Sequence, residues 1–119
     1  MTRHVVLVAG APGSGKSTYA RALGLPHLER EQYASDEAFK DAVVAACEPD
    51  EARVVVVRCC PTVREQETWR HVMRATDVVV MPTSQAECRR RVMARGRERW
   101  RSEMHGVTWW FHARNGEPA

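Results

Sequence analysis

The sequence opens with an apolar run that leads directly into a glycine-rich segment. The run HVVLVA covers residues 4–9, and its β-branched residues are typical of a strand that is buried on both faces. The segment GAPGSGKST follows at once, and a helical pattern then continues to Leu23, where Gly24 and Pro26 end it. A strand, a flexible loop and a helix in this order indicate the first unit of a parallel α/β sheet.

The glycine-rich loop matches the pattern G-x-x-x-x-G-K-[ST] at every fixed position. Its glycines allow the backbone to approach a phosphate closely, and amides at the start of a helix attract anions. We therefore expect the loop to bind a nucleoside triphosphate, ATP with Mg²⁺. Lys16 is expected between the β- and γ-phosphates, and the Ser17 hydroxyl on the metal. The expected nucleotide-binding residues are Gly10, Ala11, Pro12, Gly13, Ser14, Gly15, Lys16, Ser17 and Thr18.

Apolar runs alternate with helical patterns along the rest of the chain, which predicts parallel strands joined by helices. Further strands are expected at 26–30, 53–60 and 77–82, and helices at 36–48, 62–75 and 83–104, with Gly96 as a candidate break. In the helix at 62–75, Val63, Trp69, Val72 and Met73 are expected to face inward. The aromatic tail fits either a fifth strand or a last helical turn. The sequence thus predicts a three-layer α/β P-loop NTPase fold with a short, mostly parallel sheet of four to five strands, a domain over residues 1–114 and a frayed tail at 115–119.

Composition narrows the setting of this domain. The 119 residues suit one domain, and no apolar run approaches the ~18 residues that span a bilayer, so we expect no membrane partner and a cytoplasmic location. The four cysteines lack metal-type spacing and are expected to be reduced. Seven arginines lie between Glu87 and Arg101. This basic stretch fits either an anionic partner or a solvated helix face.

The reaction is constrained by what the strand ends carry. The chain has no N-K-x-D motif of the kind that reads guanine in GTPases. The strand VVVVR ends in Arg58 instead of a metal-binding carboxylate, and DVVVMP also ends without one. These ends disfavour nucleotide hydrolysis as the main activity.

The segments GAPGSGKST, EREQY (29–33) and VVVMPTSQAECRRRVMARGR (78–97) together resemble the small P-loop kinases of the polynucleotide-kinase and zeta-toxin kind, which are often labelled AAA-type ATPases and are frequently encoded by phages. The resemblance implies an acidic residue after the second strand as the base toward an acceptor hydroxyl. Glu31 falls on that position, with Glu29 and Asp36 as rivals. It also implies that Arg91 and Arg95 stabilise the transferring phosphate, and Arg97 is an alternative candidate for this role.

The acceptor side is less defined by the sequence. Arg58 follows four valines at the edge where ligands of open α/β sheets bind, so it is expected either to hold an acceptor phosphate or to reach solvent. The four tryptophans fit core or lid packing better than base stacking. The predicted function is an ATP/Mg²⁺-dependent phosphotransferase acting on a nucleotide, nucleoside or polynucleotide 5′-hydroxyl. An accessory ATPase of a nucleic-acid machine and a non-catalytic, nucleotide-responsive module that binds DNA or protein remain alternatives, and the oligomeric state is open.

Overall fold

The computed structural model describes residues 2–118 and contains four strands and five α-helices within them. In chain order these are β1 (His4–Ala9), α1 (Lys16–Ala22), β2 (His27–Glu29), α2 (Asp36–Cys47), β3 (Arg53–Arg58), α3 (Val63–Met73), β4 (Asp77–Val80), α4 (Gln85–Arg95) and α5 (Trp100–Asn115). One turn of 3-10 helix, Arg30–Gln32, joins β2 to α2. Within this part of the chain no helix has the length and apolar character needed to cross a bilayer.

The strands form one parallel sheet in the order β2-β3-β1-β4. Strand β1 lies inside it, and Leu7 is paired with Val56 of β3 on one side and Val78 of β4 on the other. Because all four strands run the same way, their carboxyl ends meet at one edge, where α/β proteins of this kind bind ligands. The predicted α/β class and the short parallel sheet are confirmed.

Helices cover both faces of the sheet because successive side chains of a strand point to opposite faces. Leu7 packs in one cluster with Phe39 of α2 and Met73 of α3, whereas its neighbour Val8 packs on the other face with Ala20 of α1. All five of these side chains have no measurable exposure to solvent. Burial of this kind is the main stabilising contribution to the layers.

Helix α3 differs from the expected pattern. Met73 is buried as predicted, but Val63 and Val72 are 62% and 50% exposed, so their inward placement was wrong. Gln66 takes a buried position instead, and its side-chain amide donates a hydrogen bond of 3.0 Å to the Cys60 carbonyl. A polar residue is tolerated inside because that hydrogen bond satisfies it.

The helix expected over 83–104 is divided at Gly96. Helix α4 ends at Arg95, and Gly96 adopts a left-handed φ of 58°, a conformation that favours glycine at a helix end. Helix α5, of about four turns, then includes the aromatic tail up to Asn115, so the tail is helical there and adds no fifth strand to the described sheet.

Helix α5 is anchored by a third apolar cluster at the ligand-binding edge. Val107 and Trp110 pack there with Cys88 and Val92 of α4. The Trp110 indole Nε1–H also donates a 2.7 Å hydrogen bond to the carbonyl of Cys59, directly after β3. Helix α5 thus connects α4 with the end of β3.

The segment that follows α5 meets the start of α3. The Glu117 carboxylate accepts hydrogen bonds from the backbone N–H groups of Val63 at 2.7 Å and Arg64 at 3.0 Å. These hydrogen bonds, that of Arg64 foremost, lower the pKa of Glu117. A carboxylate at a helix N-terminus is stabilising there. The domain boundary at residue 114 and the frayed tail stay predictions.

Candidate functional site

The glycine-rich loop connects β1 to α1 at the ligand-binding edge of the sheet. Gly13 and Gly15 have φ angles of 78° and 88°, which residues with a Cβ adopt at a cost. Gly15 is the N-cap of α1, and no side chain bonds to the free N–H groups of its first turn. The loop therefore has the local geometry of an anion-binding turn.

Lys16 lies across its own loop. Its half-buried ammonium donates a 3.2 Å hydrogen bond to the Ala11 carbonyl. Ser14 next to it is buried, and its hydroxyl has no hydrogen-bond partner within residues 2–118. The ammonium is thus held over the loop by one neutral carbonyl, which a phosphate oxygen can replace with a charge-assisted hydrogen bond.

Ser17, the predicted metal ligand, lies against the end of β2. Its hydroxyl donates a short hydrogen bond to Oε1 of Glu29, which is 7% exposed. The other carboxylate oxygen of Glu29 lies 3.4 Å from His27 Nε2 and 3.7 Å from Arg21 Nη2. A strand-end carboxylate is therefore present, at β2 instead of the ends of β3 and β4 where the sequence analysis looked for it.

The oxygen atoms of Ser17 and Glu29 fit a magnesium ion. Both are hard oxygen ligands, and Mg²⁺ in phosphate-binding sites takes one or two protein ligands and completes its octahedron with phosphate and water. Within residues 2–118 no three His, Cys, Asp or Glu side chains gather as a metal site would require if the protein supplied most ligands. The arrangement thus suits a metal shared with a triphosphate.

Glu31 lies in the 3-10 turn that follows β2. It is exposed and faces the same cleft as the loop. Its rival Asp36 is engaged, because Arg30 Nε donates to the Asp36 carboxylate at 2.5 Å and Arg30 Nη1 donates to the Tyr33 carbonyl at 2.9 Å. The hydrogen bond and charge of Arg30 lower the pKa of Asp36. Among the described residues no hydrogen bond or ion pair is formed by the Glu31 carboxylate, so it is free to meet an acceptor.

Arg58 is held by aromatic rings at the end of β3. Its guanidinium carbon lies 4.4 Å from the centroid of the Trp69 ring and 5.3 Å from that of Phe39. Such cation–π contacts contribute about 1 kcal/mol each. The Nε–H of Arg58 is buried and has no hydrogen-bond partner in the part of the chain that the structure describes. A positioned guanidinium with an unsatisfied donor at the cleft is suited to an anionic group.

Helix α4 brings its predicted arginines to the loop from the other side. Arg91 Nη1 donates to the Gly13 carbonyl at 3.4 Å, and its Nε donates to Glu87 at 3.1 Å. Hydrogen bonds from Arg90 and Arg91, that of Arg90 foremost, lower the pKa of Glu87 to about 2. Arg91 therefore lies against the loop, beside Gly13 and Gly15.

Arg95, one turn further along α4, lies at the cleft and is paired with a carboxylate that the sequence analysis missed. Arg95 Nη2 donates to Oε2 of Glu103 at 2.6 Å, and Arg97 Nη1 lies 3.8 Å from the same oxygen. The Glu103 side chain is 14% exposed, and its second oxygen is buried without a hydrogen-bond partner among residues 2–118. Glu103 therefore fixes where both guanidinium groups lie across the break between α4 and α5.

These groups share one cleft of about 910 Å³. Its floor is the glycine-rich loop and the ends of β2 and β3, and its far wall is the α4–α5 connection with the first half of α5. The two sides meet across it: Lys16, Ser17, Glu29, Glu31 and Arg58 from the sheet edge, and Arg95, Arg97, Arg99, Ser102, Glu103 and Trp109 from the wall. Most of the predicted site residues line this cleft: Pro12, Gly13, Gly15, Lys16, Ser17, Thr18, Glu31, Arg58 and Arg95. Gly10, Ala11, Ser14 and Arg91 do not line it.

Comparison with known proteins bears on the fold. No family model matches the sequence, and no curated protein matches it. Among solved structures the chain is similar to a candidate kinase from Chloroflexus aurantiacus J-10-fl, with a TM-score of 0.57 and 14% identity over 90% of this chain and 78% of that one. It is also similar to shikimate kinase from Bacteroides thetaiotaomicron, with a TM-score of 0.56 and 15% identity over 94% of this chain and 79% of that one. The chain therefore has the fold of P-loop kinases.

Proposed function

We propose that this protein is an ATP/Mg²⁺-dependent phosphotransferase whose acceptor is the 5′-hydroxyl of a nucleotide, nucleoside or polynucleotide. The observation that supports it is the single cleft in which a triphosphate-type loop, the Ser17–Glu29 oxygen pair and a separate free carboxylate, Glu31, face the wall that carries Arg95. An enzyme that hydrolyses ATP needs no site for a second substrate besides water, whereas a kinase must bind an acceptor beside the γ-phosphate. The fold shared with kinases is in keeping with this proposal.

The donor half of the cleft binds the triphosphate. The N–H groups of Gly13 and of residues 15–18, which have no backbone acceptor in the described part of the chain, surround the phosphates. Lys16 exchanges the Ala11 carbonyl for β- and γ-phosphate oxygens. Ser17 and Glu29 would hold Mg²⁺, which neutralises charge on the phosphates when bound. The resident hydrogen bond between these two side chains keeps both oxygens at one place before the metal arrives.

The acceptor half positions the nucleophile. The acceptor oxygen bonds to the γ-phosphorus as the bond from that phosphorus to the β–γ bridging oxygen breaks, ADP leaves, and the hydroxyl proton passes to Glu31. Arg95 stabilises the negative charge on the transferring oxygens. Arg91 instead supports the loop through the Gly13 carbonyl, and its predicted role in transfer stays a prediction. Arg58 binds an anionic group of the acceptor, which favours a nucleotide or polynucleotide over an uncharged nucleoside. Placement with the polynucleotide-kinase and zeta-toxin kinases and a cytoplasmic location remain predictions.

Transfer of label from γ-labelled ATP tests the proposal directly. The protein is incubated with Mg²⁺ and a panel of nucleosides, nucleotides and oligonucleotides that carry a 5′-hydroxyl, and oligonucleotides with a 5′-phosphate serve as blocked acceptors. Label on a 5′-hydroxyl acceptor supports a kinase. Label found solely in free phosphate indicates an ATPase, and ATP binding without turnover on any acceptor indicates a binding module.

Two variants separate the loop from the chemistry. Lys16→Ala is expected to weaken ATP binding under every one of these functions, so it tests the loop alone. Arg95→Ala is expected to slow transfer while ATP binding is kept, because its guanidinium acts on the transferring group. Lost ATP binding with normal turnover in Arg95→Ala would contradict this role.

A further inference from the structure

Trp109 is an exposed aromatic side chain in the wall of the cleft. It is 53% exposed, although it lies on the helix whose neighbouring residues Val107 and Trp110 are 0% and 2% exposed. It lines the same cleft as the phosphate loop, together with Arg97 and Arg99. A half-exposed aromatic ring in the lining of an anion-binding cleft is open to contact with a ligand.

The other tryptophans have partners within the protein, as the sequence analysis expected. The Trp69 ring packs at a tilt against Phe39 and lies under the guanidinium of Arg58. Trp110 packs edge-on against Phe111 with ring centroids 4.9 Å apart. The guanidinium of Arg101 lies over the Trp100 ring, 4.6 Å from its centroid. In the described part of the chain Trp109 makes no aromatic or cation–π contact, so its exposed ring face is not taken by another side chain of those kinds.

The helix holds the backbone at Trp109 in a fixed place relative to the loop. Gly106 lies against Pro12 of the loop so closely that an added Cβ would be 3.0 Å from Pro12 Cγ. One residue beyond Trp109, the Trp110 indole is hydrogen-bonded to the Cys59 carbonyl. When a ligand binds, such a platform loses the rotamer freedom of one side chain and no backbone freedom.

The spacing along α5 relates the ring to the phosphate-binding groups. Glu103, which holds Arg95 and Arg97, precedes Trp109 by six residues. This spacing is a rise of ~9 Å along the helix axis and a difference of about 120° around it, and both residues line the cleft. A ligand that spans this wall therefore presents an anionic group at one end and a flat apolar group at the other. Proteins that bind single-stranded nucleic acids without sequence preference combine a basic groove with aromatic side chains on which the bases stack.

We propose that Trp109 is a stacking platform for a nucleobase, carried either by the donor triphosphate or by the acceptor. The inference rests on the proposed function, because it names the ligand class of the same cleft. The shared chemistry is a base attached through a sugar to phosphate. The two sources are distinguished by ligands that have the phosphates and lack the base.

Binding measurements test the platform without relying on phosphate transfer. Calorimetry with Mg²⁺ compares ATP with inorganic tripolyphosphate, and a second pair compares a nucleoside monophosphate with ribose 5-phosphate. Each ligand is titrated into the full chain, Trp109→Ala and Trp109→Phe. Thermal unfolding confirms that the variants fold, which is expected because the ring is half exposed.

Loss of one stack is expected to weaken the base-bearing ligand about 10-fold in Trp109→Ala. The base-free ligand should be unchanged, and Trp109→Phe should retain most of the affinity. An effect on ATP assigns the platform to the donor base, and an effect on the monophosphate assigns it to the acceptor base. Equal losses for base-bearing and base-free ligands, or no loss for either, would overturn the proposal. If the unaltered chain binds neither ATP nor tripolyphosphate, the proposed phosphate-loop function is wrong. The stacking platform is then tested by the comparison of nucleoside monophosphate with ribose 5-phosphate.

Discussion

Replacement of Gly13 by alanine tests whether helix α4 is seated on the phosphate loop. Gly13 has a φ of 78°, and a left-handed conformation costs a residue with a Cβ roughly 1–2 kcal/mol. The new Cβ would also lie 2.5 Å from the Cys88 carbonyl oxygen. That oxygen belongs to the backbone of α4 and cannot rotate away, so the helix or the loop must move, and such overpacking costs about 1–3 kcal/mol. The free energy of unfolding should therefore fall by about 2–5 kcal/mol.

Gly24 supplies a matched control for this substitution. Its φ is 71°, but an added Cβ would meet nothing within 4 Å. Gly24→Ala should therefore show the backbone cost alone, about 1–2 kcal/mol. The difference between the two variants isolates the contact between the loop and α4.

Urea unfolding followed by circular dichroism measures both variants. With a slope of about 1–3 kcal/mol per molar urea for a small protein, the extra contact should lower the midpoint of Gly13→Ala by about 1 M beyond that of Gly24→Ala. ATP affinity should also fall in Gly13→Ala alone, because Arg91 bonds to the Gly13 carbonyl and moves with α4. Equal midpoints for the two variants would refute the close approach of α4 to the loop.

Three further predictions concern the cleft itself. Glu29→Gln should raise the Mg²⁺ concentration needed for half-maximal transfer at least about 10-fold, while binding of metal-free ATP is kept. An unchanged Mg²⁺ titration would show that Glu29 is not part of the metal site. Glu103→Gln should slow phosphate transfer in the full chain but cause no further loss in an Arg95→Ala background, because the Glu103 carboxylate acts by positioning the Arg95 guanidinium. Additive losses in this double-mutant cycle would show that Glu103 acts independently of Arg95. Iodoacetamide at neutral pH should label exposed Cys59 and spare Cys60, because burial raises the pKa of the Cys60 thiol to about 11 and leaves little thiolate. Since Cys59 lines the cleft, ATP should protect it from the reagent in a mass-spectrometric assay. Labelling of Cys59 that ATP does not change would contradict its place in the nucleotide site.

The donor half of the cleft could be predicted because its signals are contiguous. The strand at 4–9, the glycine spacing and Lys16 lie within one local unit whose geometry follows from backbone conformation and hydrogen bonding. Gly13 and Gly15 have the left-handed angles that the pattern requires.

Glu29 was underrated because its importance depends on sheet order. The strand that carries it has three residues, too few to show a pattern, and Glu29 alone could be an exposed carboxylate. It becomes a partner of Ser17 because β2 pairs with β3, and β3 with β1, so the end of β2 lies beside the start of α1. No local spacing encodes that neighbourhood.

The tail shows how tertiary contacts decide between two local structures. Its aromatic and β-branched residues have the propensity of a strand, which would place residues 107, 109 and 111 on one face. In the helix, Val107 and Trp110 share a face instead, and both are buried while Trp109 is exposed. The helix is favoured because this face packs on α4, Gly106 meets Pro12, and the Trp110 N–H satisfies the Cys59 carbonyl that the end of β3 leaves free. The wall that would select the acceptor is thus encoded in pairs of residues distant along the chain, which explains why the sequence predicts a phosphate donor more readily than its acceptor.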